Sequence, residues 1–112
     1  MLLGTRGGDF QPQTLLQMIT YMLWAGLDAA TAQRFPRWTT PGDFANDATV
    51  AYEPHLWADT VAGLQQRGHP VAAATGWMGG WGPVSVVVED GDGKVTGAAD
   101  PRVASTAAIS AG

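Results

Sequence analysis

Residues 1–13 read MLLGTRGGDFQPQ: a short apolar run, glycines at positions 4, 7 and 8, Asp9, and then the start of a helical pattern. This opening constrains the fold more than any later stretch. An extended segment ends at Gly4, the chain turns through Arg6-Gly7-Gly8, and a helix begins near Asp9 or Gln11. The first amides of a helix lack internal partners and carry the positive end of its dipole. Glycines have no side chain, so they let an anionic atom approach those amides closely. Such a turn can bind phosphate or carboxylate, can stabilise the oxyanion formed when an amide carbonyl is attacked, or is simply a tight turn. Known phosphate loops fit poorly. The lysine and Ser/Thr of the Walker pattern and the spacing of the dinucleotide fingerprint are both absent, and Asp9 repels a phosphate.

Met1 to Leu3 is expected to be the end of a buried strand. Beyond the turn, Leu15, Leu16, Met18, Ile19, Met22 and Leu23 recur at the three- and four-residue spacing of an amphipathic helix. Asp9 or Gln11 is expected to cap it, Pro12 suits its first turn, and Gly26 stops it. A second, short helix is expected from the cap Asp28 to just before Pro36. Residues 38–47 are turn-rich and read as loop, and residues 49–53 as a short strand. A third helix is expected over residues 54–66, with Leu56, Trp57, Val61 and Leu64 as its apolar face and Gly68 as its C-cap. Residues 71–75 read as a strand, and VSVVVEDGDGKVTGAA as two strands around an Asp-Gly turn. Residues 103–112 are expected to be a loose tail, the rest a single partial domain.

The chain has 112 residues, enough for one domain, with 46% hydrophobic and 14% charged residues. The net charge is −4 and no stretch gathers Lys or Arg, which argues against a nucleic-acid surface. There is no cysteine, so disulfides, thiolate catalysis and Cys-rich zinc sites are excluded. No apolar run approaches the roughly 20 residues of a membrane span, and MLLG is too short for a signal-peptide core.

Four elements in order carry a resemblance. The first is Gly4-Thr5-Arg6-Gly7-Gly8-Asp9 with Gln11-Pro12-Gln13 and Leu16-Gln17, and the second is Phe35-Pro36-Arg37-Trp38. The third is LQQRGHPV at 64–71, and the fourth is Gly97-Ala98-Ala99-Asp100-Pro101-Arg102. Together they resemble the C-terminal part of the γ-glutamyltransferase (γ-glutamyltranspeptidase) family, over nearly the whole chain.

The resemblance implies an α+β fold, the C-terminal portion of an αββα four-layer N-terminal-nucleophile hydrolase sandwich. Such proteins mature by self-cleavage into a large and a small subunit, and this chain matches the last part of the small one. A threonine at the new N-terminus attacks the γ-glutamyl amide of glutathione or a similar compound, and the acyl group passes to water or an amino acid. Carried over, Gly7 and Gly8 supply the oxyanion-hole amides. The implied partners are the upstream part of the small subunit, the large subunit of the same precursor and a γ-glutamyl compound. No cofactor or metal is implied. Because the family's threonine lies upstream of the glycine turn, the chain alone is expected to be inactive. Thr5 belongs to the turn in the family. A glutaryl-type acylase of the same fold, a non-catalytic anion-binding module and an inactive truncated product are the alternatives. Family members are often exported, periplasmic or extracellular, and cytoplasmic ones exist.

Other candidates have structural readings beside functional ones. Trp77, Met78, Gly79 and Gly80, followed by Trp81, suit either a loop bordering a substrate pocket or plain packing. Asp100 and Arg102 are expected to form a structural ion pair, with Pro101 fixing the bend between them. Asp90-Gly91-Asp92-Gly93 reads as a hairpin turn in preference to a calcium loop. His55 and His69 lack the companions of a zinc site. Arg6, where many family members carry proline, either strengthens an anion site or touches only solvent.

Overall fold

The structure is a computed structural model that describes residues 1–40, 46–76, 81–104 and 110–111. Among them are strands β1 (Leu2–Thr5), β2 (Trp38–Thr39), β3 (Val50–Tyr52), β4 (Val71–Ala73), β5 (Val84–Glu89), β6 (Val95–Ala98) and β7 (Ser110–Ala111). The helices are α1 (Gln11–Ile19), α2 (Ala29–Arg34) and α3 (Ala58–Gln66). The chain is α+β and divides into two units, Met1–Phe35 with Gly79–Gly112, and Pro36–Met78.

The first unit is built on an antiparallel sheet of order β1-β5-β6-β7. Strand alternation sorts its two faces. Leu3 opposite Val86 and Thr5 opposite Val84 look toward the helices, where Met18 and Ala32 pack with Val84 and draw in Tyr21, Met22 and Leu27. Leu2 opposite Val87 looks the other way and stays exposed, at 74% and 40%. The opening strand is therefore half-covered, and the expectation of a buried strand end is corrected: one sheet face has helices on it and the other has none among the described residues. Nor does the strand stop at Gly4, because Thr5 still pairs with Val84.

The first helix keeps its expected span but changes pitch. After Ile19 it widens into a π turn over Thr20–Trp24, and Gly26 at φ +70° ends it. The expected cap is corrected as well. No side chain caps α1; a 3₁₀ turn over Gly8–Phe10 leads in, with Phe10 N–H donating to Gly7 O and Gln11 N–H to Gly8 O. By contrast, Asp28 caps α2 as its sequence position predicts, accepting from Thr31 N–H at 2.9 Å and Thr31 Oγ1 at 2.7 Å. Of the terminal stretch, Ser110–Ala111 pairs with β6.

The second unit has a mixed sheet of order β2-β3-β4, with β3 antiparallel to β2 and parallel to β4. Trp38–Thr39, expected as loop, is thus a strand. Helix α3 starts at Ala58 and not at Pro54, because residues 54–56 form a turn closed by Leu56 N–H donating to Glu53 O. Leu56 is buried, Val61 and Leu64 are half-buried, and Trp57 is corrected to exposed. Gly68 at φ +85° ends the helix as expected.

Candidate functional site

The glycine turn sits where β1 leaves the sheet, and backbone from the far end of the chain shapes it. Gly7 has φ +136° and Gly8 φ +58°, conformations that favour glycine. A Cβ on Gly7 would lie 2.6 Å from the Trp81 carbonyl oxygen, so main chain occupies the space of a side chain. Gly82, at φ +100°, meets the Arg6 carbonyl in the same way, again leaving no room for a side chain. The Thr5 hydroxyl sits beside two carbonyl oxygens, Pro83 O at 2.9 Å and Arg6 O at 3.0 Å. Residues 5–7 and 81–83 therefore form one interlocked backbone layer.

What this layer leaves open is the pair of amides. The carbonyls of Gly7 and Gly8 are used by the 3₁₀ turn, but neither residue's N–H meets an acceptor among the described residues. Gly8 is exposed, and nothing lies within 4 Å of where its Cβ would be. Adjacent donors at a helix start, on a backbone fixed from behind, suit an anion or a developing negative charge. Arg6 and Asp9 are both exposed at the same turn.

Behind the sheet, a buried polar network anchors this geometry. Asp100, 1% exposed, accepts Val84 N–H on Oδ2 at 2.8 Å. On Oδ1 it accepts Arg102 N–H at 3.0 Å and Arg102 Nη1 at 3.2 Å. The Arg102 guanidinium also donates to Gln33 O at 2.6 Å and Phe35 O at 3.0 Å. Gln33 Nε2 reaches Val84 O at 2.9 Å. The pair thus ties the end of α2 to the first residue of β5, directly after Pro83. Its ion pair is the one expected from sequence, and its buried ends are satisfied by main-chain groups. In the second unit, buried Glu53 accepts Arg37 N–H at 2.8 Å, and His55 Nε2 lies 3.8 Å from the same carboxylate.

Of the expected pocket residues, Trp77, Met78, Gly79 and Gly80 lie outside the described residues, whereas Trp81 is buried and supplies a carbonyl to the turn. Asp90 stays within the hairpin: its Oδ1 accepts from Asp92 and Lys94 N–H. Sequence reasoning missed Gln33, and it missed the role of Gly82. A glycine just before a proline and a strand signals close backbone approach, and that was the cue for Gly82.

A family model described as gamma-glutamyltranspeptidase matches residues 1–110. The "Glutathione hydrolase-like YwrD proenzyme" of Bacillus subtilis is 31% identical over 103 residues, covering 91% of this chain and 20% of that protein. The "Oxamate amidohydrolase proenzyme" of Klebsiella pneumoniae is 28% identical, with the same coverages of 91% and 20%. The crystal structure of cephalosporin acylase from Bacillus halodurans superposes with a TM-score of 0.80 at 28% identity, over 97% of this chain and 19% of that one. The chain therefore spans about a fifth of the length of the curated relatives it matches.

Proposed function

The chain belongs to the gamma-glutamyltranspeptidase family, and from that premise we propose that it supplies the oxyanion hole of a threonine acyl-enzyme. The group transferred is the γ-glutamyl group of glutathione-type donors, passed to water or amino acids. The observation that carries this reading is the pair of unengaged amides at Gly7 and Gly8 on a backbone locked by residues 81–83.

The nucleophile comes from another stretch of a longer precursor. Its hydroxyl oxygen attacks the γ-carbonyl carbon, and its proton moves to the threonine's own α-amino group. The carbonyl π bond opens, and the electron pair settles on oxygen, where the Gly7 and Gly8 N–H groups donate to it. Collapse expels the amine, which takes the proton, and water or an amino acid then cleaves the ester. Thr5 has no part in this as nucleophile: it sits within β1, and its hydroxyl faces Pro83 O and Arg6 O.

The test is a chimera in which residues 1–112 replace the matching segment of the Bacillus subtilis proenzyme. Self-cleavage followed by hydrolysis of a γ-glutamyl anilide is the expected result. A chimera that self-cleaves but forms no acyl-enzyme overturns the reading.

The resemblance to cephalosporin acylase favours a second reading, a donor without an α-amino group. A matured chimera that cleaves glutaryl anilide in preference to γ-glutamyl anilide would select it.

A further inference from the structure

At Val84 side chains take over from main chain. The ladder between β5 and β6 starts with Val86 opposite Ala98. Carried two residues further, the same register sets Val84 opposite Asp100, with its N–H and C=O turned to that side. The strand pairing stops short of it. Instead, the Val84 N–H donates to Asp100 Oδ2 at 2.8 Å, and the Val84 carbonyl accepts from Gln33 Nε2 at 2.9 Å. The same Nε2 lies 3.4 Å from Ala98 O, so one amide spans the two strands where their ladder ends. Gln33 is fully buried on α2, and its neighbour Ala32 packs on Val84. The Gln33 carbonyl in turn accepts from Arg102 Nη1 at 2.6 Å.

We infer that Gln33 is a positioning residue for the amides of Gly7 and Gly8, an inference that rests on the oxyanion reading above. It acts through the backbone that runs from Val84 back to Trp81. Pro83 has no N–H with which to anchor itself, and its carbonyl oxygen takes the Thr5 hydroxyl at 2.9 Å. Gly82 lies against the Arg6 carbonyl, and Trp81 O fills the space of a Gly7 side chain. A shift of the Val84 carbonyl therefore moves residues 81–83, and these fix where the two amides point. Asp100 holds Val84 by its N–H and Gln33 holds it by its carbonyl, so the anchoring is divided between them. Gln33 does its part with a neutral donor of fixed reach, which needs no partner ion in a buried site. Rate is the sensitive readout, because misplacing a reacting group by about 1 Å can cost about 100-fold.

The test sets Gln33→Met, which keeps the side-chain volume and removes the donor, beside Leu56→Ala, a core truncation in the second unit. In the self-cleaving chimera, assayed well below its melting temperature, Gln33→Met should lower kcat about 10- to 100-fold with KM within about twofold. Leu56→Ala also destabilises, but it should leave kcat within about twofold. On the full 112-residue chain, the amide proton signals of Gly7 and Gly8 should move in Gln33→Met and stay in place in Leu56→Ala. Gln33→Glu is the second variant, and it decides the case in which Gln33→Met does not fold. Its carboxyl donates to Val84 O only while protonated, so its kcat relative to the parent should rise as pH falls. Unmoved Gly7 and Gly8 signals, a kcat in Gln33→Met no lower than in Leu56→Ala, or a flat ratio in Gln33→Glu each overturn the inference. A parent chimera that self-cleaves without forming an acyl-enzyme overturns the oxyanion reading instead. The Gly7 and Gly8 signals then still decide whether Gln33 holds the turn.

Discussion

The sheet of the first unit carries two turns of similar composition, Arg6-Gly7-Gly8-Asp9 after β1 and Asp90-Gly91-Asp92-Gly93 between β5 and β6. The second is closed on itself. Asp90 Oδ1 accepts from two backbone N–H groups, Asp90 O accepts from Gly93 N–H at 3.2 Å, and Asp90 N–H donates to Lys94 O at 3.0 Å. In the first, Asp9 caps nothing, and the N–H groups of Gly7 and Gly8 meet no acceptor among the described residues. Glycine and aspartate therefore do not mark a functional turn. What separates the two is whether the local backbone satisfies its own donors or is held by distant chain with donors still exposed.

The strongest way to break this contrast is to remove what holds the first turn. Asp100→Ala leaves Arg102 buried without its carboxylate and Val84 N–H without an acceptor. About 3–5 kcal/mol of stability should be lost, read as a lower urea midpoint at unchanged slope. A variant as stable as the parent would show that the turn does not depend on this network.

Next come the glycines themselves, within the self-cleaving chimera. Gly7→Ala drives a methyl into the Trp81 carbonyl and displaces the amide, so kcat should fall by about 10²–10³. Gly91 has no positive φ and nothing within 4 Å of a Cβ. Gly91→Ala should change kcat by less than about twofold, because a surface substitution without such features is nearly neutral. Equal losses in both would erase the distinction between the turns.

Thr5→Val tests the lock more gently. Losing the hydrogen bond to Pro83 O should cost about 1 kcal/mol, measured by chemical denaturation. The purified 112-residue chain should not hydrolyse a γ-glutamyl anilide, with or without this change. Turnover by the parent chain that vanishes in the variant would make Thr5 a nucleophile after all.

The smallest effect concerns the capped helix start that the first turn lacks. The hydrogen bonds from Thr31 hold the exposed Asp28 carboxyl below its usual range. A depressed folded pKa contributes stability above the unfolded value, near 3.9, that is lost as pH falls through the folded one. Acid titration by circular dichroism should show α2 weakening only below about pH 4, and the dependence should disappear in Asp28→Asn.

Local chemistry was legible in the sequence wherever the cause was local. Asp28, Gly26, Gly68 and the Asp90 hairpin behave as their residue types dictate. The four ordered motifs led to the family over nearly the whole chain. Misreadings came where distant partners decide. Leu2 looked like core because an apolar residue in a strand usually is, yet its side of the sheet has no cover among the described residues. Asp9 looked like a cap, but the turn's shape is imposed by residues 81–83, leaving helix entry to a 3₁₀ turn. Gln33 carries no sequence signal of burial, since only the tertiary fold brings it to the Val84 carbonyl. Trp38–Thr39 became a strand because β3 was there to pair with it, which a turn-rich local sequence cannot reveal.

The Thr5 hydroxyl and the Pro83 carbonyl are separated by 78 positions along the chain. During synthesis the first of these residues emerges long before the second, so the geometry at Gly7 and Gly8 has no template until nearly the whole segment is made. Contacts of such span form late, because the entropy of closing the loop must be overcome first. Reactivity that depended on this turn would therefore stay silent in a nascent chain. Its onset would report that the carboxyl-terminal strands had docked.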